Sequence, residues 1–200
     1  MVVDRQWDLD SGGGGRGITP DTFMIEITQK LLTPNPYSRP QTPLHRVKGL
    51  IVHWVGNPWT TALFNRAYFE MRKDGKHGYG SAHLIVGLGG EILQCVPLDE
   101  VAHHAGPSPQ TTKEAKRIFG DYPNGCLIGI ETCHLDWDGR YTDKTWHSAV
   151  KSCAWLCQEF GLTEDDIFTH HFCTGKGCPR WFVRNPDEWV RFINDVEAAR

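Results

Sequence analysis

Apolar positions along the chain follow two periods, and each period marks a kind of element. Gly49 to Val55 (GLIVHWV) is a short β-rich apolar run closed by Gly56-Asn57-Pro58, which predicts a buried strand with His53 near its C-terminal end. Ala82 to Val86 and Glu91 to Val96 flank Gly87-Leu88-Gly89-Gly90 and predict a β-hairpin. Cys126 to Cys133 (CLIGIETC) reads as another strand, and Ile167 to Thr169 as a short one leading to His170. The helical period is clearest over Asp143 to Phe160, where Trp146, Ala149, Val150, Cys153, Leu156, Cys157 and Phe160 form one stripe that Gly161 ends. Thr60 to Arg72 predicts a second helix, capped by Thr60 or Thr61, with Leu63, Ala67 and Met71 recurring every four residues. A final helix is expected from Asp187 onward through Trp189, Phe192, Ile193 and Val196.

The N-terminal part reads differently. Met24 to Leu32 (MIEITQKLL) fits a short strand or a short helix, and PNPYSRPQTP carries four prolines and reads as extended loop. Ser11 to Gly15 reads as plain linker. Residues 1–45 are therefore expected to be an extension that wraps a domain formed by residues 46–200. Strands and helices intermingle around a hairpin, and no internal repeat is visible. The expected architecture is one α/β domain, a mixed central β-sheet flanked by helices.

Composition narrows the function classes. The chain has 200 residues with 40% hydrophobic and 22% charged positions, ordinary for one soluble globular domain. A formal net charge of −3 supplies no basic field of the kind nucleic-acid binding uses. No apolar stretch approaches the roughly 18 residues that suggest a membrane span. MVVDRQWDLDSGGGG lacks the basic and apolar regions of a secretory signal, so a cytoplasmic protein is expected, acting elsewhere only after release. Seven cysteines, Cys95, Cys126, Cys133, Cys153, Cys157, Cys173 and Cys178, odd in number and spread over a chain of this length, do not look like a secreted disulfide framework. Cys153 and Cys157, four apart on a helical stripe, read as small buried hydrophobes.

Ten histidines make the chemistry worth locating. In Thr169 to Trp181 (THHFCTGKGCPRW) a short strand enters a glycine-containing loop bearing His170, His171, Cys173, Lys176 and Cys178. Imidazole and thiolate are the ligands zinc prefers, and a catalytic zinc needs three protein ligands with one position left open. His53 can supply the third beside a histidine and a cysteine of this loop. The plainer alternative is a core histidine and a buried thiol.

IVHWVGNP, SAHLIVG, VAHHAG, LIGIETC and HHFCTGKGCP stand in the order found in the N-acetylmuramoyl-L-alanine amidase family. The chain resembles that family, the amidase 2 group of phage endolysins, prophage and sporulation amidases and peptidoglycan recognition proteins, over Gly49 to Trp181. The resemblance implies one Zn2+ per chain held by His53, His170 and Cys178. His171 is the rival of His170, and adjacent residues on an extended strand point to opposite faces, so one of them should face the ion. The family's spacing of eight residues before the cysteine of the Cys-Pro step favours His170.

The implied reaction is hydrolysis of the amide between N-acetylmuramic acid and L-alanine of bacterial peptidoglycan. Glu131, a carboxylate in an apolar strand, matches the family's proton carrier, and Lys176 matches a lysine that stabilises the developing oxyanion. His104, next to Ala-Gly, matches a groove-lining histidine, and Asn57, Trp54 and Trp59 are expected to line the same cleft. The sequence departs from the pattern at Ala82, where some members carry a catalytic tyrosine. That leaves Glu131 as the proton carrier and His83 as a residue packed beneath the site. The expected partner is a muramyl peptide, with no nucleic acid or membrane insertion, and the chain is expected to be monomeric. Two other readings remain: a peptidoglycan-binding module without catalysis, and a structural zinc domain closed by His171 or Cys173.

Overall fold

A computed structural model describes residues 25–106 and 110–200. Six strands form one sheet: β1 (Thr28–Gln29), β2 (Gly49–Trp54), β3 (Leu84–Val86), β4 (Ile92–Gln94), β5 (Leu127–Thr132) and β6 (Ile167–Thr169). Their order across the sheet is β1-β4-β3-β5-β2-β6. β2 runs parallel to β5 and β6, and β3 parallel to β5. β4 folds back antiparallel on β3 as the expected hairpin, and β1 runs parallel to β4. The sheet is mixed, and β2, β3, β5 and β6 all deliver their C-terminal ends to one edge. Crevices at that edge are where open α/β sheets bind ligands.

The strand period sorts side chains onto two faces. Leu50 and Val52 of β2, Leu84 and Val86 of β3, and Ile128 and Ile130 of β5 face α3 (Asp143–Phe160) and α6 (Pro186–Ala198), forming the main core with Ala149, Val150, Cys153, Leu156, Phe192 and Val196. The other face carries Ile51, Ile85 and Leu127, together with His53, Gly129 and Glu131 of the same parity. The site therefore lies on the face away from α3.

α3 occupies the expected residues. Thr142 caps it by accepting from the Thr145 N–H, and Gly161 ends it at φ 65°. All seven cysteines are free and buried, in keeping with a core role for Cys153 and Cys157. α1 (Ala62–Met71) is capped by Thr61, but its buried residues are Ala62, Asn65 and Phe69. The expected stripe is wrong: Leu63 and Met71 are exposed at 57% and 60%. Three short helices escaped the periodicity: α2 (Lys113–Phe119), α4 (His170–Thr174) and α5 (Arg180–Arg184).

The proline-rich segment is a loop but not an extended one: a turn over residues 36–38 is closed by an antiparallel bridge between Asn35 and Arg39, and polar bonds tie the segment to the rest. Arg39 makes a paired contact with Glu100 (2.9 and 2.8 Å) and donates to the Leu32 carbonyl. β1 adds a two-residue edge strand, while the remainder of the Gly-rich segment and Met24 lie outside the described residues.

Candidate metal centre

His53 is the fifth residue of β2 and pairs in register with Glu131 of β5. β6 lies on the other flank of β2 and ends at Thr169, whose hydroxyl accepts from the Phe172 N–H and starts α4. His170 is thus the first residue of a helix, where an extended strand was expected. One step along a helix turns a side chain by about 100°. His170 points inward at 7% exposure, and His171 is exposed. His171 donates from Nδ1 to the Lys176 carbonyl (3.1 Å), and its N–H donates to the Cys178 carbonyl (2.7 Å). Those two bonds close the loop and return Cys178 to His170.

The three buried side chains converge. His53 Nδ1 lies 3.1 Å from His170 Nδ1 and 3.8 Å from Cys178 Sγ. All three ligand atoms fall within 4.8 Å of one another. Four-coordinate zinc with N and S ligands spaces such atoms about 3.3–3.6 Å apart, so these donors are close to that spacing. Burial holds the histidines neutral: His170 is depressed to about 4 and His53 well below the usual imidazole value, with nearby charge adding to the effect at both. Burial, and secondarily Glu131, pushes the Cys178 thiol up to about 12. Two neutral imidazoles and a thiol that ionises only beside a cation are the donor set of a transition-metal site. The donors fit zinc.

Glu131 shares the face and register of His53. One of its carboxylate oxygens, Oε2, is sealed from solvent and meets no donor among the described residues. Burial pushes Glu131 up to about 8, with Lys176 pulling against it. A carboxyl so poised changes protonation near neutral pH, as a general acid-base group must.

The model of the family described as N-acetylmuramoyl-L-alanine amidase matches residues 43–181. The chain belongs to that family. It is 33% identical over 181 residues to the N-acetylmuramoyl-L-alanine amidase BlyA of Bacillus subtilis, and 31% identical over 179 residues to a probable N-acetylmuramoyl-L-alanine amidase of Bacillus licheniformis. Each alignment covers 88% of this chain and 48% of the relative, so the chain spans about half the length of these curated relatives. Its fold matches that of PlyL with a TM-score of 0.70 at 22% identity, over 88% of this chain and 99% of that one.

The remaining residues expected of an amidase-family site divide between rim, far face and interior. Lys176 is exposed at the rim, and its charge acts on Glu131, His53, His170 and Cys178. Asn57 is exposed in the turn after β2, where its carbonyl accepts from the Thr60 hydroxyl. Trp59 is 71% exposed and held at φ 61°, a rare conformation for a bulky residue.

Trp54 departs from expectation. It alternates with His53 and so leaves β2 on the other face. There it stacks on His134 (centroids 4.6 Å apart), and the Arg180 guanidinium lies 4.7 Å over its ring. His104 is not on an open wall either. It is 7% exposed, with Nδ1 3.1 Å from His53 Nε2 and Nε2 3.2 Å from the Leu127 carbonyl. His83 packs beneath the site as expected, accepting the Gly129 N–H at Nδ1 (3.0 Å) and donating from Nε2 to the Glu100 carbonyl (2.9 Å).

Two residues that the sequence reading passed over complete the arrangement. Asn124 Oδ1 accepts from the N–H groups of His104 (2.9 Å) and Ala105 (2.7 Å) and pins their loop. Gly129 leaves room for the His104 ring: a Cβ there would lie 2.6 Å from it. A glycine inside an apolar strand signals such a close approach, and Gly129 in LIGIE carried that signal.

Proposed function

We propose that this chain is a zinc-dependent hydrolase that cleaves the amide between N-acetylmuramic acid and L-alanine in bacterial peptidoglycan. The observation that carries the reading is the half-buried Glu131 carboxyl standing in register with His53 of the His53–His170–Cys178 cluster. Family membership supports the bond class, since the curated relatives bear the name of that amidase.

His53, His170 and Cys178 would hold the ion. When bound, zinc supplies Lewis acidity, lowering the pKa of water toward about 7 and polarising a carbonyl oxygen. Glu131 takes the proton of the attacking water and hands it to the leaving amine, which its position near neutral pKa suits. Lys176 sits at the rim with its ammonium free to meet negative charge growing on the scissile carbonyl oxygen, a contribution of a few kcal/mol in sites of this kind. Asn57 and Trp59, exposed on the turn that follows His53, form the wall against which the muramyl peptide lies.

Purified protein incubated with bacterial cell walls should release new amino termini, and a chelator should abolish the release until zinc is restored. Glu131→Gln should keep zinc and lose at least 100-fold in rate, the scale of general acid-base catalysis. Binding to walls with no release in either condition would instead make the chain a recognition module.

A further inference from the structure

His104 is built into the protein more rigidly than a groove residue needs to be. Its backbone N–H and that of Ala105 both donate to Asn124 Oδ1. Its ring rests on the bare Cα of Gly129. The same Gly129 donates its N–H to His83, whose ring meets the His104 ring edge-on at 5.7 Å. Strand, loop and neighbouring ring all fix one orientation of the imidazole.

That orientation has a consequence for proton positions. The Leu127 carbonyl can only accept, so His104 Nε2 carries the hydrogen that meets it. In a neutral imidazole the other nitrogen then bears a lone pair. His104 Nδ1 must therefore accept, and the group 3.1 Å away is His53 Nε2, which must donate. His53 is left with its hydrogen on Nε2 and a lone pair on Nδ1, the atom that faces His170 Nδ1 and Cys178 Sγ.

We infer that His104 is a positioning residue that sets the tautomer and orientation of His53, with the Leu127 carbonyl as the fixed end of the chain of hydrogen bonds. The ligand it serves is the metal ion of the proposed function, and to that extent the inference rests on that reading. A metal-ligating histidine needs a partner on its far nitrogen, and losing such a partner costs about 10–100-fold in metal affinity. Here a second histidine fills that place, and Asn124 and Gly129 are the residues that make room for it and hold it.

Three measurements test this. Long-range 1H–15N spectra of the metal-free protein should show His53 protonated at Nε2. A hydrogen on Nδ1 overturns the inference whatever the variants do. Competition with a chelator should show His104→Phe, which offers no acceptor, binding zinc about 10–100-fold more weakly than wild type. His104→Gln, which can accept from His53 and donate to Leu127, should recover most of that loss. Gly129→Ala, which displaces the ring with His104 intact, should reproduce the defect, and it carries the affinity test if the phenylalanine variant does not fold.

Unchanged affinity in His104→Phe or in Gly129→Ala overturns the inference. Failure of the proposed function looks different: zinc held through His53, His170 and Cys178 with no amino termini released from cell walls.

Discussion

At the scale of single residues, the two adjacent histidines show how position in an element decides chemistry. His170 opens α4 and faces inward, while His171 spends its ring on the Lys176 carbonyl and its N–H on the Cys178 carbonyl. One side chain belongs to the cluster, and the other closes the loop that brings the cysteine to it. His170→Ala should therefore lose retained zinc after gel filtration. His171→Ala should keep about one ion per chain and lose only on the order of 1 kcal/mol of stability, the net worth of a hydrogen bond. Metal content by elemental analysis checks this, and zinc retained by His170→Ala but lost from His171→Ala would reverse the assignment. The reading of IVHWVGNP, LIGIETC and HHFCTGKGCP singled out His53, Glu131, His170 and Cys178 through the resemblance to the family and its eight-residue spacing, and the three ligand candidates do converge. The strand parity invoked for His170 and His171 does not apply, because both lie in α4. The same reading misplaced Trp54 and His104. Trp54 follows His53 directly and takes the opposite face, and the packing of His104 depends on Asn124 and Gly129, respectively 20 and 25 positions away in the chain.

At the scale of elements, the sheet and its long helices were legible because each has a strong period, and the short helices were not because five to seven residues leave no period to read. α1 failed for another reason. Its sequence offers more apolar residues than one face can bury, and the face it buries includes a polar one. Asn65 enters the interior because its Nδ2 donates to the Thr60 hydroxyl (2.9 Å) and the Thr61 carbonyl (3.0 Å), so it is a satisfied group beside Ala62 and Phe69. Leu63 and Met71 are left to solvent. The consequence for stability is asymmetric. Phe69→Ala should cost about 3–5 kcal/mol, as large core truncations do. Leu63→Ser and Met71→Ser should each stay within about 0.5 kcal/mol of wild type. Urea unfolding with an unchanged m-value would measure all three, and a loss of several kcal/mol at Leu63 or Met71 would mean that this face is covered.

At the scale of the whole molecule, several titratable groups are enclosed in the same interior, and they couple stability to pH. No described helix is long and apolar enough to cross a membrane. His83 is the cleanest case: wholly buried, it is neutral because burial depresses it to about 4 from the ordinary imidazole value of 6.5. Its Nδ1 accepts the Gly129 N–H, a bond that protonation destroys. A depressed histidine is deprotonated in the folded chain while the unfolded chain takes up a proton below 6.5. Unfolding therefore binds protons between pH 6.5 and 4, and stability falls as pH falls through that window. From His83 alone the loss is on the order of 3 kcal/mol by pH 4, and His170, His53 and His104 shift the same way. Glu131 has the opposite sign. Raised to about 8 from 4.5, it binds its proton more tightly when folded, so its contribution is full below pH 4.5 and is lost as pH rises toward 8. Below pH 6.5 these four histidines, with His103 and His134 shifted the same way, act against the one raised carboxyl. Metal-free protein should then show a melting temperature that drops steeply from pH 6.5 to pH 4.5, and His83→Gln should flatten that slope by up to one proton. A melting temperature that held or rose over this range would mean that the buried histidines are not neutral in the folded chain.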